Sequence, residues 1–322
     1  MRLVTFAGRG QTRIGAIEGP WVVDLNRASR GAPAAPGASP PGTQAVLPPA
    51  MRRFLAGGDE AIARARDLVA AIRPALGDPA KARALQQDGI AWRLDEIRLL
   101  PPVPDPPKIL CVGRNYAEHA REGGAEPPTL PIYFGRFPHS LLAPGAPYVL
   151  PRISGQVDFE GELTAVIGRP GRDIPESRAL EHVAGYTLFN DISIRDYQRR
   201  TTQWMIGKNF DRSGPLGPAL VTRDEIPDPQ ALTLTVDVSG ERMQEAGTDT
   251  MIFSVAYLIA DLSRVMTLEP GDLIATGTPS GVGFARKPPR WLRAGDVVRV
   301  AITGLGVLET PIVAAGADSL SM

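Results

Sequence analysis

Glu160 and Glu162 lie two residues apart in Asp158-Phe-Glu-Gly-Glu-Leu-Thr-Ala-Val-Ile-Gly168. The aliphatic and β-branched residues after Glu162 read as a strand running into a glycine. In an extended chain, residues i and i+2 project from one face, so the two carboxylates are forced together. Like charges that close resist desolvation unless positive charge sits between them. A hard divalent cation with oxygen ligands meets that need. Two glutamates facing water at a strand end are the competing explanation. Asp191 ends a second strand pattern, Val183-Ala-Gly-Tyr-Thr-Leu-Phe-Asn-Asp191, and offers a third oxygen.

His119 and Glu122, at i and i+3 of the short helical piece Tyr116–Glu122, face the same way. A carboxylate beside an imidazole orients the ring and raises its basicity, which is how a general base is built. The Gly123-Gly124 that follows permits movement as a lid. A solvated surface helix explains the same residues without chemistry. Asp191, Arg195 and Gln198 fall at i, i+4 and i+7, one face of a predicted helical turn, and suit the wall of a polar pocket. Lys208 lies on a tight loop between a Gly and an Asn, and Gly113-Arg114-Asn115 is a turn. Arg136 and Ser140 bring a cation and a hydroxyl to the loop Gly135-Arg-Phe-Pro-His-Ser140. In the loop Thr276-Gly-Thr-Pro-Ser-Gly-Val-Gly283, Thr278 and the backbone N–H groups can hold a carboxylate or phosphate. It is not a P-loop, because no Lys-Ser/Thr pair follows.

The elements that must position these groups are legible in outline. The 322 residues allow one large domain or two smaller ones. Thirty-five basic against 35 acidic residues give zero net charge, which removes the usual electrostatic case for nucleic acid or an anionic membrane. Mean hydropathy of -0.07 fits a globular protein, and no apolar run approaches a membrane span. Cys111 is the single cysteine, so no internal disulfide forms, and with only His119, His139 and His182 a Cys/His zinc site is not expected. Residues 1–7 reach glycine too soon for a signal-peptide core, so the expected location is cytoplasmic, with no membrane partner.

Short strands are predicted at 2–7, 12–17, 20–25 and 92–99, with roughly 47–87 helical and Gly77-Asp78-Pro79 a stop after the apolar stretch 61–72. Residues 31–50 form a Pro/Ala/Gly tract read as loop. The expected domains are an N-terminal accessory domain (1–100), a Pro-rich linker (101–107) and a catalytic domain (108–322). Further on, 231–239 alternates as a half-exposed strand. Thr250–Met266 reads as an amphipathic helix capped by Thr248 or Asp249, and Val297–Ile302 with Val307–Ile312 reads as a hairpin.

Five stretches in order, GRNYAEHARE (113–122), DFEGELTAVIG (158–168), YTLFNDISIRDYQ (186–198), GKNFDRSGPLGP (207–218) and TGTPSGVG (276–283), resemble the fumarylacetoacetate hydrolase superfamily. The resemblance covers residues 108 to about 313 and implies an α+β, β-rich fold, a mixed β-sandwich roll, assembled as a homodimer. It implies a Mg²⁺ or Mn²⁺ site, with Ca²⁺ able to substitute in a crystal, at Glu160, Glu162 and Asp191. His119 and Glu122 fall on the family's catalytic dyad. Arg195, Gln198, Lys208 and Thr278 fall on its substrate-holding groups, with Arg114, Arg136 and Ser140 as further candidates for a distal carboxylate.

The activity this implies first is metal-dependent hydrolysis of a C–C bond in a 2,4-dioxo acid such as an acylpyruvate. His119 and Glu122 would activate water, and Lys208 would add charge at the enolate oxygen. The alternatives are oxaloacetate-type decarboxylation, or isomerisation or hydration of unsaturated 2-oxo acids in aromatic or sugar-acid catabolism. A binding protein for 2-oxo acids without turnover is the alternative of another class.

Overall fold

The computed structural model describes residues 1–31 and 46–316. Residues 32–45 of the Pro/Ala/Gly tract lie outside the described residues.

The chain's alternating apolar segments assemble into a large mixed sheet, twelve-stranded among the described residues, with a five-stranded sheet packed on it. At the centre of the large sheet is Gly161–Ile167, buried at every position. It pairs antiparallel with Val183–Asn190 on one side and with Leu273–Ala275 on the other. Leu273–Ala275 then runs parallel to Ile109–Gly113. Side chains alternate across the strand. Leu163, Ala165 and Ile167 pack with Leu234, Val236, Val298 and Val300 of the five-stranded sheet. Val166 points to the opposite face, where Ile62, Ala65 and Val69 of the helix Gly58–Leu76 share its core. The strand is therefore covered on both sides, which explains why its sequence is apolar throughout rather than alternating.

Gly161 is a point of close sheet-to-sheet contact. A Cβ there would lie 2.3 Å from Val236 Cγ2. The glycine between the two glutamates thus lets the second sheet pass behind them.

The N-terminal hundred residues extend the same sheet. Arg2–Gly8 pairs with Gly214–Thr222, Arg2 opposite Val221 and Leu3 opposite Leu220. The strand expected over 92–99 is two short strands, Ala91–Arg93 and Arg98–Leu100, separated by a 3₁₀ turn. The helical stretch is three helices, Met51–Leu55, Gly58–Leu76 and Pro79–Gln87. Gly58, at φ +59, breaks the first from the second. Asp78 caps the third, accepting from Ala80 N at 2.9 Å and Lys81 N at 3.2 Å.

The helix expected from Thr250 begins later, at Val255, and Ser254 caps it by accepting from Tyr257 N at 3.1 Å. Asn115 is the cause. It accepts from Ile252 N and Phe253 N, both at 2.8 Å, and so holds that segment extended. No helix among the described residues is long and apolar enough to cross a membrane.

Candidate active site

The register of the central pair builds the carboxylate cluster. Gly161 faces Asn190 and Glu162 faces Phe189 across the antiparallel ladder. Asp191 therefore arrives opposite Glu160, and its N–H donates to the Glu160 carbonyl at 2.8 Å. One oxygen from each of Glu160, Glu162 and Asp191 lies within 4.8 Å of the others, and all three residues are buried.

Asp191 does not begin a helix. Ser193–Ile194 follows as a short strand against Val157–Asp158, and the helix is only Arg195–Gln198. The three residues expected on one helical face therefore meet at the site by a bend, not by helical spacing.

Charge around the cluster is nearly but not fully matched. Lys208 Nζ lies 2.6 Å from Glu160 Oε2 and 2.5 Å from Asp191 Oδ2. Burial would lower the lysine, but Asp191 and Glu160 outweigh it and hold it above its usual range, hence cationic. Glu160 also feels burial first, yet Lys208 and Arg195 pull its carboxyl well below the usual range. Arg136 Nη1 ion-pairs with Asp191 Oδ1. Arg195 pairs with Asp158 at 2.9 Å and Glu160 at 2.6 Å.

Four buried carboxylates thus face three buried cations, Arg136, Arg195 and Lys208, and one negative charge is left over. That charge belongs to Glu162, which among the described residues makes no ion pair and accepts one hydrogen bond, from Gly277 N at 3.0 Å. Burial, then Asp191, then Glu160, push its carboxyl well above the carboxylate range. Three convergent oxygens with one uncompensated charge fit a hard divalent cation.

The base side of the site is tied to the same framework. His119 Nδ1 lies 2.8 Å from Glu122 Oε1, and Glu122 Oε2 accepts from Gly281 N at 2.8 Å. The loop at 276–284 does hold carboxylates through its N–H groups, but they are the protein's own. Gly277 serves Glu162, Gly281 serves Glu122, and Gly283 and Phe284 serve Asp158 at 2.7 and 3.0 Å. The Thr278 hydroxyl donates to the Gly161 carbonyl at 2.9 Å and accepts from Gln244 Nε2 at 2.8 Å.

His119, Glu122, Glu160, Glu162 and Asp191 line a cavity of about 550 Å³ that also takes in Arg114, Gln198, Thr278 and Lys208. Arg195 lines it too, but Asp158, Glu160 and Gln198 engage its guanidinium. Gln198 Oε1 accepts from Arg195 Nη1 at 2.9 Å, which leaves its NH₂ for a ligand. Arg136 and Ser140, expected at a distal carboxylate, do not line the cavity. Arg136 lies behind Asp191, donating to Ser213 Oγ at 2.6 Å and Ser140 Oγ at 3.3 Å, and steadies that carboxylate from the rear.

Two contributors escaped the sequence reading. Asp158, fully buried, binds Arg195 and two loop N–H groups. Gln244, on the five-stranded sheet, accepts from Gly161 N at 3.0 Å and donates to the Pro279 carbonyl at 2.7 Å. Asp158 did carry a signal, an acid two residues before Glu160. Gln244 carried none, being 83 residues from its partner.

Comparison with known proteins gives the same picture. The family description "Fumarylacetoacetate (FAA) hydrolase C-terminal" matches residues 108–313. A mitochondrial oxaloacetate tautomerase of Xenopus laevis is 42% identical over 269 residues, 83% of this chain and 79% of that protein. The solved structure of a fumarylacetoacetate hydrolase from Exiguobacterium antarcticum aligns over 98% of this chain and 100% of its own, at 32% identity and a TM-score of 0.75. That of a fumarylpyruvate hydrolase from Pseudomonas aeruginosa, in complex with Mn²⁺ and pyruvate, covers 69% of this chain and 93% of its own, at 37% identity and a TM-score of 0.60. With its mixed α+β sheets, carboxylate cluster and matched span, the chain belongs to the fumarylacetoacetate hydrolase family.

Proposed function

We propose that this protein catalyses proton transfer at C3 of a 2-oxo acid, interconverting keto and enol forms of an oxaloacetate-type substrate. The observation that carries the reading is the His119–Glu122 pair at the cavity that the carboxylate cluster also lines. Glu122 occupies Nδ1, which leaves Nε2 without a hydrogen bond among the described residues, the one ring nitrogen able to exchange a proton with a ligand. Similarity to an oxaloacetate tautomerase over most of the chain supports the same choice.

Glu160, Glu162 and Asp191 would hold the divalent ion, which when bound supplies Lewis acidity for negative charge developing on a substrate oxygen. His119 Nε2 takes the C3 proton, the C–H electron pair becomes the C2=C3 bond as the carbonyl π pair moves onto the oxygen, that oxygen takes a proton from water, and His119 returns its own to water, so no proton is gained or lost overall. Lys208 donates two of its three N–H groups to Glu160 and Asp191 and has one left for that oxygen. The free NH₂ of Gln198 suits the substrate carboxylate.

Hydrolysis of an acylpyruvate, the activity first implied by the resemblance, is the second reading. The Pseudomonas relative with Mn²⁺ and pyruvate favours it, and His119 would then draw its proton from water. One comparison separates the two. Decay of the enol's ultraviolet absorbance is followed on oxaloacetate, and pyruvate release is followed on an acylpyruvate. Enol decay well above the spontaneous rate with negligible pyruvate release is the expected result. Rapid pyruvate release with no effect on the enol would overturn it in favour of hydrolysis.

A further inference from the structure

We propose that Gln244 is a positioning residue for the carboxylate cluster: its side-chain amide, with the Thr278 hydroxyl, clamps the peptide groups of Gly161 and so fixes the spacing of Glu160 and Glu162. It rests on the reading of Glu160, Glu162 and Asp191 as a divalent-ion site, and not on the reaction proposed there.

The need for a clamp comes from the glycine. Val236 stands so close behind Gly161 that no Cβ fits, and a residue without a Cβ is the least restrained link in a chain. Rotation at Gly161 would swing one glutamate away from the other, because residues i and i+2 share a face only while the backbone stays extended. The regular ladder ends too soon to prevent it. Pairing of the central strand with Leu273–Ala275 starts at Thr164, and the Thr276 N–H extends it only to the Leu163 carbonyl, at 3.0 Å.

Gln244 and Thr278 take over from there. The Gly161 N–H donates to Gln244 Oε1 at 3.0 Å, and the Gly161 carbonyl accepts from Thr278 Oγ1 at 2.9 Å. Gln244 Nε2 donates to Thr278 Oγ1 at 2.8 Å, which closes a ring of hydrogen bonds, and to the Pro279 carbonyl at 2.7 Å. The backbone settles every direction: an N–H only donates and a carbonyl only accepts, so the amide has one orientation and the Thr278 proton goes to Gly161. A buried glutamine is ordinarily a satisfied interior amide and nothing more. Gln244, however, belongs to the sheet that gives Leu234, Val236, Val298 and Val300 to the core, and it stands directly opposite Val236. An apolar side chain would pack there without the cost of desolvating an amide. The bonds of this amide end instead on the strand that carries both glutamates and on the loop whose Gly277 N–H holds Glu162.

The test is Mn²⁺ affinity, read from the electron paramagnetic resonance signal of the free ion in titrations of the full chain. Gln244→Met keeps the length of the side chain and removes its hydrogen bonds. Val298→Ala removes buried bulk from the same sheet and leaves the clamp's bonds in place, and Tm without metal reports the stability each variant loses. Gln244→Met is expected to weaken Mn²⁺ binding by about 10- to 100-fold, the effect of losing a group that orients metal ligands. Val298→Ala is expected to bind as the wild type does, even where its Tm falls as far. Thr278→Val, which removes the donor to the Gly161 carbonyl, is expected to weaken binding in the same direction, and it carries the test if Gln244→Met does not fold. Wild-type affinity in either clamp variant, or an equal loss in Val298→Ala, would overturn the clamp alone. A wild type that binds no Mn²⁺ would overturn the clamp together with the metal site.

Discussion

His119→Ala is expected to lower the rate of enol–keto conversion by about 10²- to 10⁴-fold, the usual contribution of a positioned acid–base group. The effect should fall on kcat, because the imidazole exchanges a proton in the transition state and the groups expected to hold the ground-state ligand are elsewhere in the cavity. Affinity for Mg²⁺ should be little changed, since the three carboxylates are untouched. Glu122→Gln should give a smaller loss. Its Oε2 contact with Gly281 N survives, while the charge that orients the ring through Nδ1 is removed. Steady-state kinetics on both variants, with Tm as a folding check, read these effects. A kcat within tenfold of wild type for His119→Ala would mean that another group carries the proton.

Lys208→Met combines two losses. Among the described residues its Nζ is the one cation that touches both Glu160 and Asp191. Without it those buried carboxylates face each other with only Arg195 and Arg136 as counter-charges. Breaking a buried pair in this way costs about 3–5 kcal/mol of stability. Removing a donor aimed at developing oxyanion charge costs a further factor of about 10²–10³ in kcat. Urea denaturation should show the first, and kinetics on the Mg²⁺-saturated variant the second. Mg²⁺ should restore much of the stability but little of the rate, because an added cation replaces charge and not a hydrogen-bond donor. Lys208→Arg is not expected to rescue. Lys208 is buried and its Nζ already sits at hydrogen-bond distance from both carboxylates, so a longer, planar guanidinium does not fit the same position. Stability or rate near wild type in Lys208→Met would contradict the role given to this residue.

The groups that the structure gathers in one cavity were legible where their constraints are local. Glu160 and Glu162 share a face by strand periodicity alone, and His119 and Glu122 by one helical turn. The central strand and the C-terminal hairpin followed from apolar pattern and turn residues. Three things were not local. Asp191 reaches the cluster by strand register, which no periodicity within its own segment reveals; reading a helix there gave the right neighbours for the wrong reason. Arg136 looked like a free cation on a loop, yet it closes a strand and is buried behind Asp191, a placement decided by pairing with Ile109–Gly113. The loop at 276–283 read as a cradle for a ligand's anion, and its N–H groups instead satisfy Glu122, Asp158 and Glu162. A sequence shows which groups can bind an anion; it does not show which of the protein's own anions will arrive first.

The central claim is that a divalent ion at Glu160, Glu162 and Asp191 supports C3 proton transfer on a 2-oxo acid. The most direct measurement is the decay of enol-oxaloacetate absorbance with wild-type protein, first with Mg²⁺ and then after exhaustive chelation with EDTA. Decay well above the spontaneous rate with Mg²⁺, its loss on chelation and its return when Mg²⁺ is restored are the expected results. Decay that persists undiminished in the chelated protein would contradict it.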